Sequence, residues 1–470
     1  MNILLVTGES LPYCKSGGLG DFIWSYSKAL AKLGEHVSVI LPLYDLVIAK
    51  HPEAEKEVYD RFDFHMSERT KWATITKTEN EGVDFYFVRM DEFKTMALYG
   101  YPNDNERFAS FTMAVNTFLT RHNDYDVVHC NDWQTAVLPL LLRYNPKTIK
   151  TVLTIHNPAY QGWGLRGDLS YFFNLDLDYY DSGFAKLGDS FNFLKTGIMA
   201  ADKVNTVSPT QARELVSDHE AFGGIGAILD WCRHNGFSGI VNGLDTEVWN
   251  PKTDPVLPEN YGSDNAEEAK KKARRAILAY LDMDLDFKGP LYGVITRLSA
   301  QKGIDRIIRA MDGLHAADGR MIIIGTGELE SEVMGACWRH PEVYLVNKYD
   351  ENLAHLLYAA SDYFLMPSYF EPCGTGQLIS MRYGTLPIVS NVGGLADTVK
   401  DLGSGEEATG FVFNGSLPDA IYNTVLAAND LFYNNRKRFA ELQKKGMSGE
   451  YGWAKSAKEY LSLYDSISWK

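Results

Sequence analysis

Short apolar runs alternate with segments of helical spacing along most of this chain. In the first half the runs are NILLV, HVSVIL, ATITK, VDFYFV, DVVHC, TVLTI, KVNTV and GIV, with helical patterns between several of them, as at 107–120 and 135–142. The alternation restarts near residue 290 with LYGVIT, MIIIG, VYLV, YFLMP and LPIVS. Repeated strand–helix units with apolar strands predict α/β architecture, with parallel sheets covered on both faces. Residues 250–289 break the pattern: NPKTDPVLPEN and then EEAKKKARR read as a linker followed by a surface helix. The final stretch places Trp453, Ala457, Tyr460, Leu461 and Tyr464 on one side of a helix. The expected organisation is therefore two doubly wound domains, 1–245 and 246–449, with a helix over 450–470 returning to the first. The crossings are expected near 242–250 and 446–452. In such sheets ligands sit at the carboxyl ends of strands, and two facing sheets would make a cleft.

Bulk properties narrow the field. At 470 residues the chain is too long for one ordinary core, and 45% hydrophobic with 23% charged residues is a globular composition. A formal net charge of −15 argues against nucleic acid or an anionic membrane as partner. A locally positive pocket for a small anion is still compatible with it. The five cysteines (Cys14, Cys130, Cys232, Cys337, Cys373) are scattered and lack any CxxC, which suits a reduced, cytoplasmic protein. MNILLVTGES has no basic leader, and no uncharged apolar run reaches about 18 residues, so neither a signal sequence nor a membrane span is expected.

The chemistry lies at the strand ends. After the first strand, YCKSGGLGDF brings Lys15, Gly17 and Gly18 to a helix start. It is neither a Walker loop nor GxGxxG, yet backbone N–H groups at a helix N-terminus attract phosphate, and glycine lets a ligand come close. A plain strand–helix turn with a solvated lysine is the other reading. His156 and Asn157 follow TVLTI, and Asp132 is placed to cap a helix beginning at Trp133. His129 and His156 lack metal-ligand spacing. Arg297 and Lys302 flank a strand-to-helix crossover, where the helix dipole disfavours cations unless an anion lies between them. In MPSYFEPCGTGQLISMRYG a loop delivers Glu371, then Cys373 and Gly374 open a helix. Carboxylate, glycine turn and helix N-terminus together suit a sugar bearing a diphosphate, with Glu371 on hydroxyls and the amides from Gly374 through Thr375, Gly376 and Gln377 on phosphate. Gly393 and Gly394 repeat the glycine-plus-helix device. The DxD runs in NLDLDYYD and LDMDLDF read as solvated acids.

Taken in order, KSGGLGD, DNERF, HCNDWQTA, TIHNPAYQG, NFLKTGIMAADKVNTVSPT, NGLDTEVWNP, TRLSAQKG, GTGE, FEPCGTGQL, MRYGTLPIV and GGLADTV resemble the bacterial glycogen synthases and plant starch synthases over nearly the whole chain. The resemblance implies a GT-B fold and transfer of glucose, with retention, from ADP-glucose or UDP-glucose to an α-1,4-glucan. It implies no cofactor and no metal. It puts Lys15, Gly17 and Gly18 near the phosphates, His156 beside the transferred sugar, Arg297 and Lys302 on the diphosphate, Glu371 on the glucose and Tyr349 on the base. Asp21, Asp132, Trp133, Asn157, Asn242 and Cys373 fall in its substrate-binding motifs. The chain departs from the family at Thr375-Gly376-Gln377, where Leu-Thr-Gln is usual, and at Lys348, where glycine is common. Tyr99, Tyr101, Trp133, Tyr160 and Trp163 are candidate sugar platforms. A transferase with a small acceptor, a sugar-nucleotide epimerase and a non-catalytic glucan binder stand as alternatives.

Overall fold

β1 (Asn2–Val6) is buried at all but its first position, as a strand with helices on both faces must be. It belongs to the first of two units, Met1–Gly243 with Trp453–Lys470, the second being Leu244–Gly452. The computed structural model describes residues 1–232, 236–315, 318–417 and 419–468.

The first unit also contains β2 (His36–Pro42), β3 (Val58–Met66), β4 (Arg69–Asn80), β5 (Val83–Arg89), β6 (Val127–Asn131), β7 (Lys150–Ile155), β8 (Trp163–Gly164), β9 (Lys186–Leu187), β10 (Ser190–Asn192), β11 (Lys203–Thr206) and β12 (Ser238–Gly239). Nine of these form one sheet in the order β12-β11-β7-β6-β1-β2-β5-β4-β3. It is not parallel throughout: β3 and β4, and β4 and β5, pair antiparallel. β3 was not among the strands expected from sequence. From Phe62 on, the residues of VYDRFDFHM alternate, burying Phe62, Phe64 and Met66 against the core and exposing Asp63 and His65, the pattern of a sheet wet on one side. The helix expected over 107–120 runs Asp104–Arg121. The one expected over 135–142 is a 3-10 turn, Trp133–Thr135, followed by a short helix, Leu138–Leu142.

The second unit contains β13 (Leu291–Ile295), β14 (Arg320–Ile324), β15 (Val343–Val346), β16 (Tyr363–Met366), β17 (Leu386–Ser390) and β18 (Phe411–Phe413), all parallel in the order β15-β14-β13-β16-β17-β18. Met321 and Ile323 enter one apolar cluster and Ile322 and Ile324 the other, so side chains alternate between two covered faces. The stretch expected to be a linker after 250 has no strand or helix up to 265, but it belongs to the second unit and buries Asp254, Leu257 and Tyr261 there. The helix expected after it runs Ala266–Tyr280.

The last helix, Ala454–Asp465, buries Ala457, Tyr460 and Tyr464 in the first unit's core, together with Trp453 just before it and Ile467 beyond. Of the expected stretch 450–470, residues 469 and 470 lie outside the described residues. A buried polar chain fixes this helix. Asn205 receives a hydrogen bond from Thr154 Oγ1 (2.7 Å), so that hydroxyl accepts from His129 Nε2 (2.6 Å), while His129 Nδ1 faces Tyr464 OH (2.7 Å). Tyr464 in turn meets Tyr26 OH at 2.6 Å. Burial pushes the His129 ring down to about 3. It is therefore neutral, with Tyr464 donating to Nδ1.

Candidate active site

Sheet order reverses beside the first strand of each unit. β1 has β2 on one side and β6 on the other, and β13 has β14 and β16. These are the points where doubly wound sheets bind ligands.

In the first unit the loops after β1, β6 and β7 meet there. Lys15 Nζ is 3.1 Å from Asp21 Oδ1, both partly exposed. Gly17 precedes the helix Gly18–Lys32 without a side-chain cap. The loop wraps a carboxylate that sequence reasoning passed over: Glu9 accepts from the Ser16 amide (2.7 Å), the Ser16 hydroxyl (2.7 Å) and the Gly20 amide (3.1 Å). Asp132 is not a helix cap. Its φ of 57° turns the side chain back to the sheet, where Oδ1 accepts from the amides of His156 (2.7 Å) and Asn157 (3.2 Å). Burial raises the Asp132 carboxyl to about 7 against the pull of those amides. His156 Nε2 lies 2.9 Å from Asn131 Oδ1, and Asn131 Nδ2 donates to the carbonyls of Val6 and His129. That fixes the Asn131 amide, so His156 donates from Nε2 and leaves Nδ1 unprotonated. Burial holds the ring down to about 3, a neutral imidazole. Phe22 meets it edge-on at 4.5 Å. Asn131 is a second residue the sequence reading missed. Asn242 Oδ1 is buried with no hydrogen-bond partner among the described residues.

In the second unit Lys302 and Glu371 join across the β13/β16 switch point, Nζ to Oε2 at 2.6 Å. Glu371 is 6% exposed and also accepts from Ser368 Oγ at 2.9 Å. The anion that relieves Lys302 at its crossover is thus supplied by the chain itself. An ammonium has three N–H donors, so Lys302 can hold Glu371 and still meet a phosphate oxygen. Arg297 is exposed and makes no ion pair or side-chain hydrogen bond with a described residue. After Cys373 and Gly374, Thr375 precedes the helix Gly376–Arg382 without a side-chain cap, so the helix starts two residues later than expected. Gln377 is fully buried and ties this turn through Nε2 to the carbonyls of Cys373 and Gly374 and to Thr398 Oγ1. Gly393 and Gly394 open the short helix Gly393–Thr398 as expected, with backbone packed against them: a Cβ at Gly393 would lie 2.0 Å from the Glu371 carbonyl oxygen, and the Gly394 amide donates to that oxygen. They are glycine so that backbone can pack against the Glu371 loop. Among the described residues no group of three or more His, Cys, Asp or Glu could hold a metal ion.

Residues 2–231 match the starch synthase catalytic domain family and residues 284–445 match glycosyl transferases group 1. The glycogen synthase of Lactobacillus acidophilus is 38% identical, covering 99% of this chain and 100% of that protein. That of Clostridium novyi is 37% identical, covering 99% of each. The catalytic domain of starch synthase IV from Arabidopsis thaliana, bound to ADP and acarbose, superposes with a TM-score of 0.89 at 31% identity over 99% of this chain and 98% of that one. The chain belongs to the glycogen synthase family. A sucrose-phosphate synthase from Thermosynechococcus elongatus, at 17% identity and a TM-score of 0.61 over 99% and 98% of the two chains, shares the fold, which is GT-B.

As a glycogen synthase family member the chain is a hexosyltransferase, which makes the exposure of its aromatic platforms informative. Tyr160 and Trp163 are 53% and 46% exposed and open to a sugar face. Trp133 is not: it is 9% exposed, its ring between Phe108 and Phe193 and so close to Gly162 that a Cβ there would come within 2.4 Å. Its faces are packed in the core, which leaves little of the ring to lie against a sugar. Tyr101 is covered by the Arg107 guanidinium at 4.5 Å, and the Tyr99 hydroxyl is buried. Tyr349 is 56% exposed on the turn before the helix Glu351–Ala360. No helix among the described residues is long and apolar enough to cross a membrane.

Proposed function

We propose that the chain moves glucose from ADP-glucose to the non-reducing end of an α-1,4-glucan, with retention of anomeric configuration. Breaking a glucosyl–phosphate bond puts positive charge on the anomeric carbon and negative charge on the departing diphosphate. Fixed cations aimed at the leaving group favour the transition state over the ground state. In this reading Arg297 and Lys302 neutralise the diphosphate, with the amides that open the helix Gly376–Arg382, and Glu371 holds glucose hydroxyls. Lys15 is a further cation proposed for the diphosphate, and side chains take the place of a metal. The neutral ring and backbone carbonyl of His156 stabilise the cationic sugar. Tyr349 stacks on the base, while Tyr160 and Trp163 carry the glucan. Free, mostly buried cysteines suit a cytoplasmic enzyme.

The observation that carries the proposal is the Lys302–Glu371 pair at a sheet switch point, cation for phosphate beside carboxylate for sugar. The ADP and acarbose bound by the starch synthase IV domain support ADP-glucose as donor. Purified protein given glycogen and labelled ADP-glucose or UDP-glucose side by side should incorporate label into glycogen, faster from ADP-glucose. Label entering only small acceptors, or leaving as free sugar, would refute the assignment.

A further inference from the structure

We propose that Glu9 is a positioning residue for glucosyl transfer, its carboxylate filling the hollow of the glycine-rich loop and fixing the backbone on both sides of Lys15. The inference rests on the reading that Lys15 acts on the donor diphosphate. Glu9 is 1% exposed, and no lysine or arginine among the described residues pairs with it. Its counter-charge is the loop: one oxygen takes the Ser16 amide and hydroxyl, the other takes the Gly20 amide, and the Gly17 amide adds a weaker contribution.

Those contacts bracket Lys15. Ser16 follows it directly, and Gly20 lies so close under it that a Cβ there would be 2.6 Å from Lys15 Cβ. The Glu9 backbone is itself tied to the end of β1, since Thr7 Oγ1 donates to the Glu9 carbonyl at 2.9 Å and Tyr44 OH to the Gly8 carbonyl at 2.8 Å. A chain of direct contacts therefore runs from the sheet through Glu9 to the loop and its lysine. A glycine-rich loop has more backbone freedom than any other segment, and convergent amides are its natural anion cradle. Here the cradle already holds an anion from within the chain. Burial raises the Glu9 carboxyl above its ordinary value, and the loop donors offset part of that cost. The loop amides bound to Glu9 shape the turn, and the group they present to the diphosphate is Lys15.

The test is a double-mutant cycle on the full chain, with glycogen and ADP-glucose. Glu9→Gln keeps the shape but turns an NH2 group toward loop donors. We expect a folded enzyme with kcat reduced roughly 10–100-fold, the scale of a misplaced catalytic group, and the KM for glycogen unchanged. Glu9→Gln added to Lys15→Ala should slow the enzyme no further than Lys15→Ala alone. Wild-type kcat in Glu9→Gln, or a double variant slowed by the full product of the two single effects, overturns the proposal. Should Glu9→Gln yield no folded enzyme, Ser16→Ala carries the test. A loss of kcat that vanishes in the Lys15→Ala background supports the proposal, and no loss overturns it. If Lys15→Ala itself turns over at the wild-type rate, the reading of Lys15 fails; if only Glu9→Gln does, the positioning role fails alone.

Discussion

In the proposed mechanism, removing the Lys302 ammonium takes a counter-charge from the diphosphate; it also leaves the buried Glu371 carboxylate without its ion-pair partner. Lys302→Ala should therefore slow turnover at saturating donor by a factor on the order of 10²–10³, while Lys302→Arg keeps part of the rate. Near-normal turnover in Lys302→Ala would refute its role on the leaving group. Lys302 and Glu371 were both legible in sequence because each follows an apolar run closely, and topology then brings those two strand ends together. The fine placement was not legible. Asp132 looks like a helix cap by spacing, but its positive φ aims it at the His156 and Asn157 amides instead. The burial of Trp133 could not be read from its position either, because it depends on Gly162 leaving room for the ring. Glu9 carries no motif at all. The usable signal was an acid just past a strand and ahead of a glycine loop, and it has meaning only once the loop is seen to fold around it.

The helix Ala454–Asp465 depends on the protonation of one residue in the sheet. His129 accepts from Tyr464 in a fully buried setting, so a proton on Nδ1 would place a charge there away from water and force that hydrogen bond to reverse. With a folded pKa of about 3 against an ordinary 6.5, His129 adds stability that is present above 6.5 and lost as pH falls toward 3. Asp132 has the opposite sign: raised to about 7 from 3.8, it costs stability as pH rises through that window and returns it on acidification. Each full unit inside a group's window is worth about 1.4 kcal/mol. His156, held down to about 3 in the same way, adds a second loss on acidification. Urea unfolding at pH 7 and pH 5 should thus show a net loss of stability in wild type, a loss that shrinks or reverses in His129→Gln and a larger loss in Asp132→Asn. Identical differences in all three proteins would contradict these assignments. At this scale most strands and the amphipathic last helix could be read from apolar spacing. β3 was missed because its period-two pattern carries charged residues at every other place, and β18 because three residues are too few to form a pattern.

Chain threading distinguishes the two units. Leu244–Gly452 is continuous and encloses its own apolar clusters on both faces of its sheet, whereas the first unit is assembled from two stretches of sequence. Residues 244–452 expressed alone should melt cooperatively, and residues 1–243 alone should not until 453–468 are supplied as a separate peptide. A cooperative melt of 1–243 by itself would show that the returning helix is dispensable. The two-domain α/β character was readable from the restart of the strand–helix alternation near 290, but the order of strands was not, since pairing depends on contacts far apart in sequence. The borrowed helix sets a schedule for biosynthesis. As the polypeptide leaves the ribosome, the segment emerging first must wait, with the groove for Tyr460 and Tyr464 unfilled, while the segment emerging second can reach its native state without delay. Newly made protein should therefore present its greatest chaperone demand in the part translated earliest.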